Sequence, residues 1–162
     1  MALALLSLGS NIDPESNLRA AARDLRAAFP GIRYSPVLRY RAVGFDGPDF
    51  LNAAAAFETG LDPVQLHDLF HQLEDAHGRR RDVPRFSSRT LDVDLVFLGD
   101  RVQQAPGSPV LPRPELRHAF VLEPLAMLVP EFIDPLSDKA LAALWREHAD
   151  HATPAAVEAL VL

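Results

Sequence analysis

The chain has no cysteine among its 162 residues. That excludes a disulfide framework and any thiolate-ligated zinc site, and it suits a reducing cytoplasm, where the protein is expected to reside. No apolar run reaches the roughly 18 residues of a membrane-spanning helix. The apolar opening MALALLSL also lacks the basic n-region of a secretory leader, so it reads as a strand. A surplus of positive charge is missing too. Lys and Arg number 16 against 22 Asp and Glu, and the net charge of −6 argues against a nucleic-acid or anionic-membrane partner. Neither a Walker A loop nor G-x-G-x-x-G is present, so any phosphate must be held by side chains and metal instead of a glycine-rich turn. The G-x-S-x-G elbow of serine hydrolases is absent as well.

What the chain does have is concentrated between Glu74 and Leu98, in EDAHGRRRDVPRFSSRTLDVDLVFL. Within it, residues 79–89 hold Arg79, Arg80, Arg81, Arg85 and Arg89 against Asp82 alone, a small-anion site within an acidic protein. The run LDVDLVFL alternates like a strand, so Asp92 and Asp94 project side by side from one face. Two carboxylates so close need a cation between them. Magnesium suits such hard oxygen ligands and completes its shell with water and substrate phosphate. Guanidinium forks suit phosphate oxygens bidentately, so the segment as a whole describes a metal-bound polyphosphate. From spacing alone, a solvated basic loop followed by a turn-ending aspartate fits equally well. His67, His71 and Asp75 stand at i, i+4 and i+8 on a helix, a spacing able to hold zinc but more often a surface face. The pair Gly9-Ser10 with a later Asp-x-Asp is similar to the nucleotidyltransferase pattern, but here more than eighty residues intervene.

The length fits one domain, residues 1–162. Leu3 to Leu8 reads as a buried strand closed by Gly9-Ser10-Asn11. Asp13 is expected to cap a helix with Pro14 in its first turn and Leu18, Ala21, Ala22, Leu25 and Phe29 inward. Residues 32–41 form a strand that Pro36 pushes towards an edge or bulge. Phe50 to Glu58 forms another, with Phe50, Asn52, Ala54 and Ala56 on one face. A second helix opens at Asp62-Pro63, with Gln65 completing a capping box, and stops at Gly78. After the Asp92 strand comes an irregular stretch from Gly99 to Pro114. A helix is expected over Leu116 to Leu128, another capped by Ser137, and the tail VEALVL suits helix or strand. This order predicts an α+β fold, a ferredoxin-like antiparallel sheet covered by helices with extra C-terminal elements.

Several segments, in order, resemble the 6-hydroxymethyl-7,8-dihydropterin pyrophosphokinase family of the folate pathway. They are LSLGSN ending at Asn11, Tyr40-Arg41, PDFLNAA at 48–54, Glu74 with Gly78-Arg79, RTLDVDL at 89–95 and AFVLEPLAMLVPE at 119–131. RTLDVDL is the most specific, and the ordered series outweighs any single motif. The resemblance implies transfer of pyrophosphate from ATP to the hydroxymethyl group of a reduced pterin, with release of AMP. It implies two Mg2+ ions on Asp92 and Asp94, with Arg79 and Arg89 stabilising the transferring group. Glu74, Arg81, Arg85, Phe86, Arg113 and His118 would serve ATP. Val43, Gly44, Phe50, Asn52 and Phe120 would serve the pterin, the two phenylalanines sandwiching its ring and Asn52 meeting its amide edge. Taken singly, each of those phenylalanines would be ordinary core, but Phe50 shares a face with Asn52. The arginine loop is expected to close over bound nucleotide. A monomer, or at most a weak homodimer, is expected.

The chain also departs from the family pattern. Phe86 stands where tryptophan is usual, and Ser87-Ser88 where glycine or proline is common. PRPELRHAF at 112–120 is one residue short, with Arg113 in place of histidine and His118 in place of arginine. The loop after Tyr40-Arg41 is also shorter. These changes leave open a slower enzyme, an altered pterin preference, or a non-catalytic paralogue that binds pterin or nucleotide.

Overall fold

The computed structural model describes residues 1–84 and 87–162. An inner strand of its main sheet, β1 (Ala2–Ser10), is buried along most of its length because helices cover both faces of the sheet. Ala4, Leu6 and Leu8 point into one core, with Leu18, Ala21 and Leu25 of α1 (Pro14–Ala28) and Leu66 and Phe70 of α2 (Pro63–Ala76). Leu5 points into the other core, with Val121, Leu122 and Leu125 of α3 (Ala119–Leu128) and Leu141 of α4 (Leu141–Glu147). The remaining main-sheet strands are β2 (Arg33–Tyr34), β3 (Leu38–Tyr40), β4 (Phe50–Thr59), β5 (Asp92–Leu98) and β8 (Ala156–Val157). Their order is β5-β1-β4-β3-β8, with β2 also on β4, and every neighbouring pair is antiparallel. The ferredoxin-like expectation holds, with α3 and α4 as the added layer.

Local chemistry explains the departures from expectation. The strand at 32–41 splits because Pro36 has no N–H. Ser35 bridges the gap by donating its N–H to Ala54 O (2.9 Å) and accepting from Ala54 N on Oγ (2.7 Å). Asp13 takes the cap position, but its left-handed backbone (φ 44°) is not the extended geometry that side-chain capping uses, and its side chain makes no cap hydrogen bond. Asp62 and Gln65 do form the expected capping box. The helix expected over Leu116 to Leu128 is broken by an extended His118, which ends a 3-10 turn (Pro114–Arg117) and begins α3. Ser137 does not cap α4. Its hydroxyl is taken by Asp134 (2.8 Å) in a hairpin of β6 (Ile133–Asp134) and β7 (Lys139–Ala140), and Ala140 precedes the helix instead. Of the tail, only Val157 joins a strand, β8 with Ala156, and residues 158–162 are neither helix nor strand.

A bulge in β5 positions the site. The register against β1 slips between Leu5 and Leu6, so Val96 and Phe97 both enter the α3-side core, while Leu95 and Leu98 enter the other. At the bulge, Val96 O accepts from Arg113 N (3.0 Å), which fastens the 112–117 segment beside the Asp92 end of the strand.

Candidate active site

Where β1, β4 and β5 reach one end of the sheet, a cleft of about 270 Å³ opens on the α3 side. Asp92 lies opposite Gly9, and Asp94 opposite Ser7, so the two carboxylates stand side by side with small residues across from them on β1. Their side chains remain about one-third exposed, at 32% and 35%. Asp92 is ion-paired with Arg79 and lies 3.8 Å from Arg89 Nε. Asp94 meets Arg113 Nη2 at 3.4 Å. Burial pushes the Asp94 carboxyl up to about 7; Arg113 opposes this, and the nearby Asp92, Glu74 and Glu115 charges reinforce it. Such a pair favours any added positive charge. Made of carboxylate oxygens, the donor set fits a hard divalent ion that keeps water and phosphate oxygens in its shell.

Glu74 organises the basic side of the cleft. It is buried on α2, and its Oε2 accepts from Val93 N (2.9 Å) and Arg79 Nη1 (3.3 Å), while Oε1 accepts from Arg81 Nη2 (3.0 Å). One carboxylate therefore ties the helix, the strand bearing the aspartates and two arginines together. Arg79 Nη1 also donates to Leu91 O (3.1 Å), and among the described residues its buried Nε has no hydrogen-bond partner. Burial and the adjacent Arg79 hold the Arg89 pKa below the ordinary arginine value. Asn11 secures that arginine: its Oδ1 accepts from Arg89 N (2.7 Å), and its Nδ2 donates to Pro48 O (3.1 Å) and Ser88 Oγ (3.3 Å). The Gly-Ser-Asn turn thus joins the arginine loop to the loop entering β4.

The other half of the cleft is aromatic. Phe50 has Phe45 against it edge-on, with ring centroids 6.3 Å apart. Phe120 is stacked on His118 at 5.0 Å and 10°, and it meets Tyr40 edge-on at 6.4 Å. Asn52 sits on the same face of β4 as Phe50, 5% exposed, with Nδ2 donating to Leu8 O (3.4 Å) and a buried Oδ1 that has no partner among the described residues. A Cβ on Gly9 would lie 2.7 Å from Asn52 Nδ2, so the glycine leaves the space that the amide occupies.

Of the expected residues, the cleft gathers Asp92, Asp94, Arg79, Arg81, Arg89 and Glu74 at one end. Phe50, Asn52, Phe120 and Val43 lie at the other, with Arg113 and His118 between. Gly44 does not line the cleft; its φ of 82° turns the chain between Val43 and Phe45. Arg85 and Phe86 lie outside the described residues. His118 is placed against Phe120, on the aromatic wall, although the resemblance put it with ATP. Also lining the cleft are Tyr40, Arg41, Phe45, His71, Ser87 and Glu115, none of which the sequence singled out for the site. His71 had a signal, since it is three residues before Glu74 and shares its helical face. Burial, then His67 and Arg81, push its pKa below the ordinary histidine value. Phe45, in an irregular loop, had none. The zinc alternative finds no support: Asp75 is paired with Arg81 (3.0 Å), and no described cluster of three His, Cys, Asp or Glu residues could hold a metal ion.

Residues 5–130 match the family described as 7,8-dihydro-6-hydroxymethylpterin-pyrophosphokinase (HPPK). The chain is 37% identical to the 2-amino-4-hydroxy-6-hydroxymethyldihydropteridine pyrophosphokinase of a Synechocystis species, covering 87% of this chain and 73% of that protein. It is 36% identical to the Pseudomonas aeruginosa protein of the same name, over 78% and 80% of the two chains. Its Haemophilus influenzae counterpart is 30% identical, over 93% and 96%. Among solved structures, the wild-type HPPK-DHPS of Plasmodium falciparum shares the fold with a TM-score of 0.70 at 11% identity. That likeness covers 92% of this chain but only 41% of the longer solved one.

Proposed function

The chain belongs to the 7,8-dihydro-6-hydroxymethylpterin-pyrophosphokinase family, and on that premise we propose how its cleft transfers pyrophosphate from ATP to 6-hydroxymethyl-7,8-dihydropterin. The observation that carries this reading is the two-ended cleft. One end has paired carboxylates among arginines, and the other has aromatic rings and a buried amide oxygen that is unpartnered among the described residues. The pterin ring enters between Phe50 and Phe120, where stacking suits a flat heterocycle. Its amide edge meets Asn52, whose Oδ1 accepts from a ring N–H. The hydroxymethyl group then points towards Asp92 and Asp94.

Asp92 and Asp94 would hold Mg2+, two ions in our assignment, and the bound metal supplies charge neutralisation and alignment of the triphosphate. Arg81 and Arg113 grip ATP from opposite sides, and the unpartnered Arg79 Nε is a further donor for a phosphate oxygen. The pterin hydroxyl oxygen attacks the β-phosphorus, and its proton is released to solvent. The bond from that phosphorus to the oxygen shared with the α-phosphate breaks, and AMP leaves. Arg79 and Arg89 are preorganised to receive the developing charge, Arg79 by Glu74 and Arg89 by Asn11. Among the described residues, no helix is long and apolar enough to cross a membrane. We assign the protein to the cytoplasm, as a monomer or at most a weak homodimer.

The test is AMP release from ATP and magnesium with and without 6-hydroxymethyl-7,8-dihydropterin, with Asp92→Asn as the blank. Pterin-dependent AMP that disappears in the variant supports the assignment. Binding of both ligands without AMP would reject it in favour of a paralogue that has kept its sites and lost turnover.

A further inference from the structure

Glu123 is a buried acid that the transfer chemistry does not use. It lies on α3 at 4% exposure, and its two assigned donors are both neutral. Tyr40 Oη donates to Oε1 at 2.6 Å, and Ala155 N donates to the same oxygen at 3.2 Å. Tyr40 ends β3 and lines the cleft, where its ring meets the edge of Phe120. Ala155 directly precedes β8, which pairs with β3. Glu158 fastens the same segment, donating its N–H to Val37 O (2.8 Å) and accepting from Arg39 Nε on Oε1 (2.5 Å). Farther back, His148 Nε2 lies 2.8 Å from Arg117 O, at the 3-10 turn that carries Glu115. Residues 148–158 therefore brace the aromatic wall from behind, and the Glu123 carboxylate is the joint.

We propose that Tyr40 and Glu123 are positioning residues for the pterin: Glu123 clamps the Tyr40 hydroxyl to the chain at Ala155, and the Tyr40 ring so held fixes the stacking plane of Phe120. This rests on Phe120 being one wall of the pterin slot. A carboxylate withdrawn from water needs every donor it has, so losing the tyrosine hydroxyl loosens both partners. Burial first, and then the hydrogen bond to Glu123, push the Tyr40 pKa far above its ordinary value, so the hydroxyl remains a donor throughout the working pH range.

The experiment uses the full chain and two separate titrations, one with 6-hydroxymethyl-7,8-dihydropterin in the presence of magnesium and a non-hydrolysable ATP analogue, the other with the magnesium-bound analogue alone. Tyr40→Phe and Glu123→Ala should each raise the pterin Kd about five- to tenfold and leave the nucleotide Kd within about twofold of the parent. Glu123→Gln, which keeps an acceptor oxygen, should restore the parent pterin Kd to within about twofold. Phe120→Ala is the reference. If it weakens pterin binding while Tyr40→Phe does not, the clamp is wrong and the slot stands; if Phe120→Ala has no effect, the slot itself is wrong and the clamp falls with it. Equal losses for both ligands, or a glutamine variant as impaired as alanine, would also overturn the proposal. Should Glu123→Ala fail to fold, Tyr40→Phe decides, since it removes a single oxygen.

Discussion

Gly9→Ala tests whether the cleft depends on a space that only glycine leaves. The added Cβ would stand 2.7 Å from Asn52 Nδ2, 3.6 Å from Asn52 Cγ and 3.9 Å from Leu51 O. Only the first distance is too short, and that atom is the far end of a side chain. The amide must therefore retreat by roughly 0.7 Å to reach ordinary contact near 3.4 Å. Its hydrogen bond to Leu8 O, already 3.4 Å long, breaks. For the fold the cost is small, because alanine in a strand recovers about 0.5–1 kcal/mol of backbone entropy relative to glycine. For the ligand it is not. Misaligning an edge that makes one or two hydrogen bonds to a buried heterocycle costs about 1–3 kcal/mol. The expected result is a Tm within a few degrees of the parent, an unchanged nucleotide Kd and a pterin Kd raised about 5- to 150-fold. Calorimetric titration of the two ligands, alongside a thermal melt, measures all three. A parent-like pterin Kd would refute the reasoning, since Asn52 would then not need the position that Gly9 preserves.

Three other perturbations have defined outcomes. Asp94→Asn should end pterin-dependent AMP release yet raise Tm at pH 8 and not at pH 4. The Asp94 pKa is raised in the fold, so its ionisation costs stability that is lost progressively from about pH 4 to about pH 7 and stays lost above; equal shifts at both pH values would contradict this. Glu74→Ala should cost about 3–5 kcal/mol in urea denaturation, because Arg79 and Arg81 lose a partner that is 4% exposed; a cost below about 1 kcal/mol would mean that the arginines are held by other contacts. Phe70→Ala, in the core beneath α2, should cost about 3–5 kcal/mol while AMP release per folded molecule is unchanged at 25 °C, and a drop in specific activity would show that this core sets the cleft.

How much of this was legible in the chain depended on whether the signal was local. Asp92 and Asp94 were readable because a strand's period of two puts them on one face whatever else the chain does. The same holds for Phe50 with Asn52, and for the capping box of Asp62 and Gln65, which needs three residues of helix and nothing else. Expectations failed where a local preference met competition. Ser137 is a good cap former, but the hairpin gave it Asp134 to bind; Asp13 stands at a helix start, but its backbone turned left-handed. No period could have shown that Leu116 to Leu128 breaks at His118, since no residue around His118 forbids a continuous helix.

Sequence by itself thus determined the antiparallel sheet, its covering helices and the residue types that a metal-bound triphosphate and a flat ring require. Those follow from side-chain periodicity and from the chemistry of carboxylate, guanidinium and aromatic groups. Tertiary structure alone decided who meets whom across long separations. Glu74 became the anchor of two arginines and of Val93 because α2 packs on β5. Asn11 came to hold Arg89, 78 residues away, because β1 lies beside β5. Arg113 reached Asp94 because a bulge in β5 offered Val96 O to its backbone. Such partnerships depend on register and loop path, which the sum of many weak packing contacts sets and no short stretch of chain encodes.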